Sequence, residues 1–339
     1  MRTYTAKKGF VGILLSLFLV IALAGCGSAN NANDAGESSG AGNKPAETAS
    51  EKPVTFKDNR GEVTLAKPAT RVVTLEWTYT EDVIALGVQP IGNADNANYK
   101  IYVTPQAALD SNVTDVGTRG EPNLETIAAL KPDLIIADAR SHEAIYDQLK
   151  AIAPTIEFSP YSGNGYDYDK MTEIFNTIAV AVGKEDKAKQ VLQELDQHYA
   201  EAKEKLAAAG KADFHYALTQ AFTYQNAVSL RMFSDNSVVV GTLAKIGLIN
   251  DWKPAKLEEY GFTTVGIEAL PEVQDSNFIY ITQPDDDVFG TAMKDNKVWN
   301  GLKFVKEKRT YPLGSTTWTF GGPVSSKELV DQVVGAITK

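Results

Sequence analysis

The sequence predicts an α/β protein of two Rossmann-like lobes joined by a single long rigid helix. Three observations point there. From Arg71 onward, short apolar runs alternate with amphipathic helical stretches, the β-α-β rhythm of a mostly parallel three-layer domain. After Gly210 the rhythm restarts: GIEALPEVQDSNFIYIT repeats the helix–Pro–strand sense of NLETIAALKPDLIIAD, and KVWNGLKFVKEKRTYPL echoes EAIYDQLKAIAPTIEF. Between the halves lies KEDKAKQVLQELDQHYAEAKEKLAAAG, Lys184 to Gly210. Its Ala188, Val191, Leu192, Leu195, Tyr199, Ala202 and Leu206 recur at helical spacing, and such a helix would span about 40 Å. One more core element would also fit that stripe; the likeness of the flanking halves favours a strut.

A chain of 339 residues with 43% apolar content has room for two packed cores. Its net charge of −10 and pI near 5.0 argue against nucleic acid and against a polybasic membrane patch. His142, His198 and His215 are scattered, which argues against a histidine-built metal centre.

The N-terminus reads as a targeting segment. Arg2, Lys7 and Lys8 precede the apolar run FVGILLSLFLVIALA, which ends in LAGC with the chain's single cysteine, Cys26. Small residues before the cysteine and a polar tail after it resemble a bacterial lipobox. That resemblance implies a signal peptide over residues 1–25 and lipid on Cys26, an anchor made firm by several acyl chains. Residues 26–52, small and polar, read as a flexible tether.

The first lobe spans 53–183. VTFKDNRGEVTLA reads as a hairpin turning at Asn59-Arg60-Gly61. RVVTLEW is a buried strand, TEDVIALGV a helix that Thr80 could cap, and QPIGNA a strand. NLETIAAL is a helix stopped at Lys131-Pro132, LIIAD a strand buried on both faces, EAIYDQLKAIAP a helix and TIEF a strand. TEIFNTIAVAVG leads into the bridging helix at 184–210. In the second lobe, 211–339, FHYALTQA is a strand, NSVVVGTLAKIG a helix capped by Asn236 or Ser237, and SSKELVDQVVGAIT the final helix.

No GxSxG elbow, phosphate-cradling glycine loop or HExxH is present, so nothing in the motifs asks for an enzyme. What stands out is arginine beside aromatics on connecting loops. Arg119 lies in VGTRGEPNLE, Arg140 directly follows LIIAD, and Arg231 lies in SLRMFSD between a strand and a helix. Trp77, Tyr79 and Tyr102 fall near the corresponding strand ends of the first half; Phe222, Tyr224, Tyr260, Phe262, Trp318 and Phe320 do so in the second. Ligands of open α/β sheets gather beyond the carboxyl ends of the strands. Guanidinium groups there match carboxylate oxygens two bonds at a time, with aromatic walls alongside.

RVVTLEW, EDVIALGVQPIG, NYKIYV, DVGTRGEPNLETIAALKPDLII and TTWTFGG resemble the iron–siderophore substrate-binding proteins of ABC importers, nearest those for ferric citrate, citrate-based and hydroxamate siderophores. The resemblance implies a fold of two α/β lobes on one rigid helix, no enzymatic activity and no cofactor. The ligand's own oxygens hold the iron, so the protein contributes no metal bond. It implies that Arg119 bonds ligand oxygens around the iron, and that Tyr102, Trp318 and Tyr260 fall on cleft aromatics. It implies that Glu125 and Glu268 dock the lobes on the permease dimer, whose ATPase drives transport. The expected protein is a monomer on the extracytoplasmic face of the cell membrane.

Departures refine this. Arg140 and His142 stand where hydroxamate binders tend to place an aromatic, and Arg231 is an extra arginine. More guanidinium favours an anionic ligand, ferric citrate or a citrate-backbone siderophore, over a neutral trihydroxamate. The rivals are a ferric hydroxamate, haem with Met232 or His142 as axial ligand, cobalamin, and an extracytoplasmic two-lobed enzyme.

Overall fold

The computed structural model describes residues 52–161, 163 and 165–339. The expected signal peptide, Cys26 and the tether up to residue 51 lie outside the described residues. Among the described residues no helix is long and apolar enough to cross a membrane.

The chain opens with the expected hairpin, β1 (Val54–Asp58) and β2 (Gly61–Leu65). Asp58 accepts the Arg60 and Gly61 N–H groups across the turn. Five parallel strands then form the first sheet: β3 (Val72–Thr74), β4 (Gly92–Asn93), β5 (Thr114–Asp115), β6 (Leu134–Asp138) and β7 (Thr155–Phe158). Their order is β5-β4-β3-β6-β7. Every residue of β6 is buried, as a strand covered on both faces requires. Helices α1 (Trp77–Ala85), α2 (Asn96–Tyr102), α3 (Leu124–Leu130) and α4 (Tyr146–Ile152) connect and cover these strands.

RVVTLEW is shorter as a strand than its apolar run suggests: β3 stops at Thr74 and α1 begins at Trp77. Glu76, in extended conformation, is the N-cap in place of Thr80. Thr80 is buried one turn inside α1, its hydroxyl within bonding distance of Thr74, Asn93 and the Glu76 carbonyl.

The second sheet is mixed. It contains β8 (His215–Tyr224), β9 (Ala227–Phe233), β10 (Ile249–Asn250), β11 (Phe262–Val265), β12 (Asn277–Ile281) and β13 (Thr310–Leu313), ordered β11-β9-β8-β12-β13 with β10 beside the start of β8. The parallel triplet β8-β12-β13 repeats the arrangement β3-β6-β7, which accounts for the internal echo. On its other side β8 folds back on β9 in an antiparallel hairpin. Arg231 therefore sits within strand β9, not between a strand and a helix. Gln225 and Asn226 make that turn with φ of 49° and 63°, the left-handed pair a two-residue hairpin loop needs. Without an Asn-Gly signature the sequence concealed it.

Helices α5 (Tyr168–Ala181) and α6 (Glu185–Ala208) run between the lobes. Tyr168, opening α5, lies against Gly241 in α7 (Val238–Lys245) of the second lobe. At its far end Ala181 accepts the Ala69 N–H in the first lobe. Gly183, between the two helices, adopts φ +64° against Pro68. From there α6, 24 residues and about 36 Å long, returns to the second sheet. Because β7 ends in the first sheet and α5 begins against the second lobe, the chain passes between the sheets three times. The second lobe is completed by α8 (Lys297–Gly301), α9 (Lys303–Lys306) and α10 (Pro323–Ile337), the last packed along α6 and touching α1.

A buried polar joint locks α1 to α10. Gly322, the N-cap of α10, offers no side chain, and Glu81 of α1 takes its place. The fully buried Glu81 carboxylate accepts the N–H groups of Gly322 at 2.9 Å and Ser325 at 2.8 Å, and the Ser325 hydroxyl. Nearby, the Thr78 hydroxyl donates to the Phe320 carbonyl.

Candidate functional site

Between the lobes lies a cavity of about 910 Å³. Arg119, Arg140, Arg231, Trp77, Tyr102, Tyr260 and Trp318 all line it. The sheet architecture explains the gathering: loops after β3, β5 and β6 and the end of α2 meet the β8–β9 hairpin and the loops before β11 and α10.

Trp77 forms the floor. It is 2% exposed, and its indole N–H donates to the Ala94 carbonyl at 3.0 Å, which fixes the ring. Tyr102 stacks on it at 5.9 Å between centroids, and Trp318 of the other lobe leans in at 5.1 Å. Across the cavity Tyr161 packs on Tyr260 at 4.7 Å, with Phe320 behind. Tyr79 is excluded from this wall; it is fully buried against Phe158. Tyr224 stands exposed at the tip of the β8–β9 hairpin and does not line the cavity.

The three arginines differ in what holds them. Arg119 sits on the 117–123 loop, which a left-handed Gly117 (φ +98°) and a bridge to Pro122 fold tightly. Its guanidinium lies 3.9 Å over Trp77 and donates to Glu76 Oε1 at 2.9 Å. His142 supports its backbone: the buried ring's Nδ1 accepts the Asp138 N–H and Nε2 contacts the Arg119 carbonyl at 2.8 Å, a pattern fitting the neutral Nε2–H tautomer. Arg140 reaches from β6 across to Glu259 at 3.2 Å and lies 5.2 Å from the Tyr260 ring. Arg231 lies between the rings of Phe222 and Phe262 at 4.9 and 5.1 Å, donating to Gln220 Oε1. Among the described residues no carboxylate pairs with it, and burial lowers its affinity for a proton.

Sequence reasoning missed four carboxylates that line the same cavity: Glu76, Asp95, Asp138 and Asp286. Three are tied to local hydrogen bonds. Asp95 caps α2, Asp138 accepts the Arg140 and Ser141 N–H groups, and Asp286 accepts both the N–H and the hydroxyl of Thr223. Glu76 alone pairs with a cleft arginine. Its place inside an apolar strand-like run hid it; only a capping position one residue before a tryptophan could have hinted at it. Burial, above all, pushes the Glu76 carboxyl above the usual carboxylate range, against the opposing pull of Arg119.

The haem ligands considered from sequence are not placed to serve. His142 has both ring nitrogens engaged, and Met232 is fully buried in the second-lobe core away from the cavity. Among the described residues no cluster of potential metal ligands occurs.

Residues 72–317 match the family model described as periplasmic binding protein. The chain belongs to this family. A periplasmic binding protein presents a ligand cleft rather than a catalytic centre, and the cavity fits that description. Among relatives, this binding protein is 32% identical over 336 residues to an Fe(3+)-citrate-binding protein of Bacillus subtilis, with 98% of each chain covered. It is 26% identical over 267 residues to an iron(3+)-hydroxamate-binding protein of Escherichia coli, covering 79% of this chain and 86% of the relative. Among solved structures it resembles an Fe3+–Desferal-bound siderophore-binding protein from Vibrio cholerae. There the TM-score is 0.71 at 28% identity, covering 79% of this chain and 98% of the other.

Proposed function

We propose that this is the extracytoplasmic substrate-binding lipoprotein of an ABC importer, capturing an iron(III)–siderophore complex of the ferric citrate or citrate-based class. One observation carries the reading: guanidinium groups from both lobes, with aromatic walls, meet on a single cavity. The nearly full-length likeness to a ferric citrate binder supports it. Iron arrives already saturated by the siderophore's oxygens. Arg231, with no carboxylate partner among the described residues, and the outer N–H groups of Arg119 and Arg140 would bond the outward-facing oxygens. Trp77, Tyr102, Tyr260 and Trp318 would close on the apolar parts.

Glu125, exposed in the first turn of α3, and Glu268, exposed after Gly266, would dock the two lobes on the permease dimer. Lipid on Cys26 would hold the protein, as a monomer, at the membrane. A ferric hydroxamate is the second reading, favoured by the Arg119–Glu76 pair, which reduces the free positive charge.

Tryptophan fluorescence tests this, since Trp77 and Trp318 face the cavity. Titration with ferric citrate, ferric schizokinen and ferrioxamine should quench with saturation for at least one complex. Unchanged affinities in Arg119→Ala and Arg231→Ala would remove the cleft from the mechanism. Mass spectrometry of ligand co-purified from iron-starved cells would name the siderophore.

A further inference from the structure

We infer that Glu76 is a specificity-determining residue, an internal counter-anion that makes the Arg119 subsite select ferric complexes carrying an uncharged N–H donor beside a ligand oxygen, such as an amide-bearing citrate siderophore, over complexes of bare carboxylates. The inference rests on the cavity being the siderophore site and names the ligand chemistry within it.

The geometry is specific. Glu76 Oε1 takes both local bonds, from the Trp77 N–H at 2.9 Å and from Arg119 Nη1 at 2.9 Å. Oε2 takes none from any described residue, and the side chain lines the cavity. The subsite therefore shows a ligand two things side by side on the Trp77 floor: guanidinium N–H groups that donate, and a carboxylate oxygen that accepts. An amide-bearing ferric complex can supply the complementary pair from neighbouring groups, an oxygen of the iron shell to Arg119 and a trans amide N–H, which points away from its own C=O, to Glu76 Oε2. A free carboxylate presents only acceptors, so its second oxygen would face Glu76 with like charge.

Among the described residues Arg119 is the cation that pairs with Glu76, and Asp138, Tyr79, Tyr161 and Tyr166 lie within its electrostatic reach. Burial raises the Glu76 proton affinity, and the Arg119 charge and hydrogen bond, with the Trp77 N–H, oppose that rise.

The experiment compares ferric citrate with ferric schizokinen and ferrioxamine E, both amide-bearing, on wild type, Glu76→Gln and Glu76→Asp. Glutamine keeps the shape and an acceptor for Arg119 but loses the charge and turns an N–H toward the ligand. Glu76→Gln should tighten ferric citrate by about tenfold or more, as expected for removing a like charge at contact range in a partly desolvated site. The same change should weaken both amide-bearing complexes, and Glu76→Asp should restore the wild-type order of preference. A purely structural role would move all three complexes together; an equal change in all three, or a loss for ferric citrate, overturns the inference. If the wild type binds none of the three complexes, the siderophore reading itself fails, and the inference with it.

Discussion

Glu81 offers the sharpest test of how the lobes are held. Replacing it with alanine removes a fully buried carboxylate that accepts two backbone N–H groups and one hydroxyl at the start of α10. Hydrogen bonds to a charged group contribute about 1.5–3 kcal/mol each, and offsetting desolvation reduces the sum. Burial does penalise the charge: it raises the Glu81 proton affinity, opposed by the bonds from Ser325 and Gly322. Without Glu81 the α10 N–H groups have no side-chain cap, because Gly322 cannot supply one. A net loss of about 3–5 kcal/mol follows, comparable to breaking a buried ionic pair. At roughly 2 °C per kcal/mol for a domain of this size, Tm should fall by about 6–10 °C. Ser325→Ala, which removes the hydroxyl and spares both backbone bonds, should cost only about 1 kcal/mol. Thermal melts followed by circular dichroism would read both. A Glu81→Ala melt within 2 °C of wild type, about 1 kcal/mol, would refute the joint as a stabilising element.

Other outcomes can be checked alongside. Asp82, next to Glu81, is buried with both oxygens unpartnered among the described residues, and burial plus the Glu81 charge hold its carboxyl well above the usual range. The folded chain holds this proton more tightly than the unfolded chain, so the stability it contributes is complete below its unfolded value and lost as pH rises toward the folded one. Asp82→Asn should therefore flatten the fall in Tm above about pH 4, measured as a melt series against pH. Gly117→Ala forces a side chain onto φ +98°, with the new Cβ 2.9 Å from the Glu121 carbonyl. Urea unfolding should show a loss of about 1–3 kcal/mol, and ligand affinity should fall because the Arg119 loop shifts. Arg140→Ala, breaking an exposed pair with Glu259, should cost less than about 1 kcal/mol of stability in the same assay.

Legibility followed distance in the chain. Continuous apolar runs such as LIIAD and TIEF became β6 and β7, and the Lys184–Gly210 stripe became α6, because local pattern alone decides such elements. The two-residue strands β4 and β5 carry too little pattern to be bounded from sequence. Arginines beside glycines and strand ends were readable as cleft candidates, since loop position shows in sequence. Their partners were not: Glu76 lies 43 residues from Arg119, and Glu81 244 residues from Ser325. The fold alone brings each pair together, and no spacing rule encodes them. Arg231 was found for its chemistry and misplaced in structure, because Gln225-Asn226 turns the chain without glycine.

The triple passage of the chain between the two sheets bears on how the molecule would come apart. A protease nick within 159–167 would separate a leading fragment from one carrying α5 and α6, yet the leading fragment would stay clasped. Its β1 and α1 pack on α5, Ala69 bonds Ala181, and Glu81 grips the head of α10. Under native conditions the two pieces should travel as one particle through a sizing column and part only in denaturant.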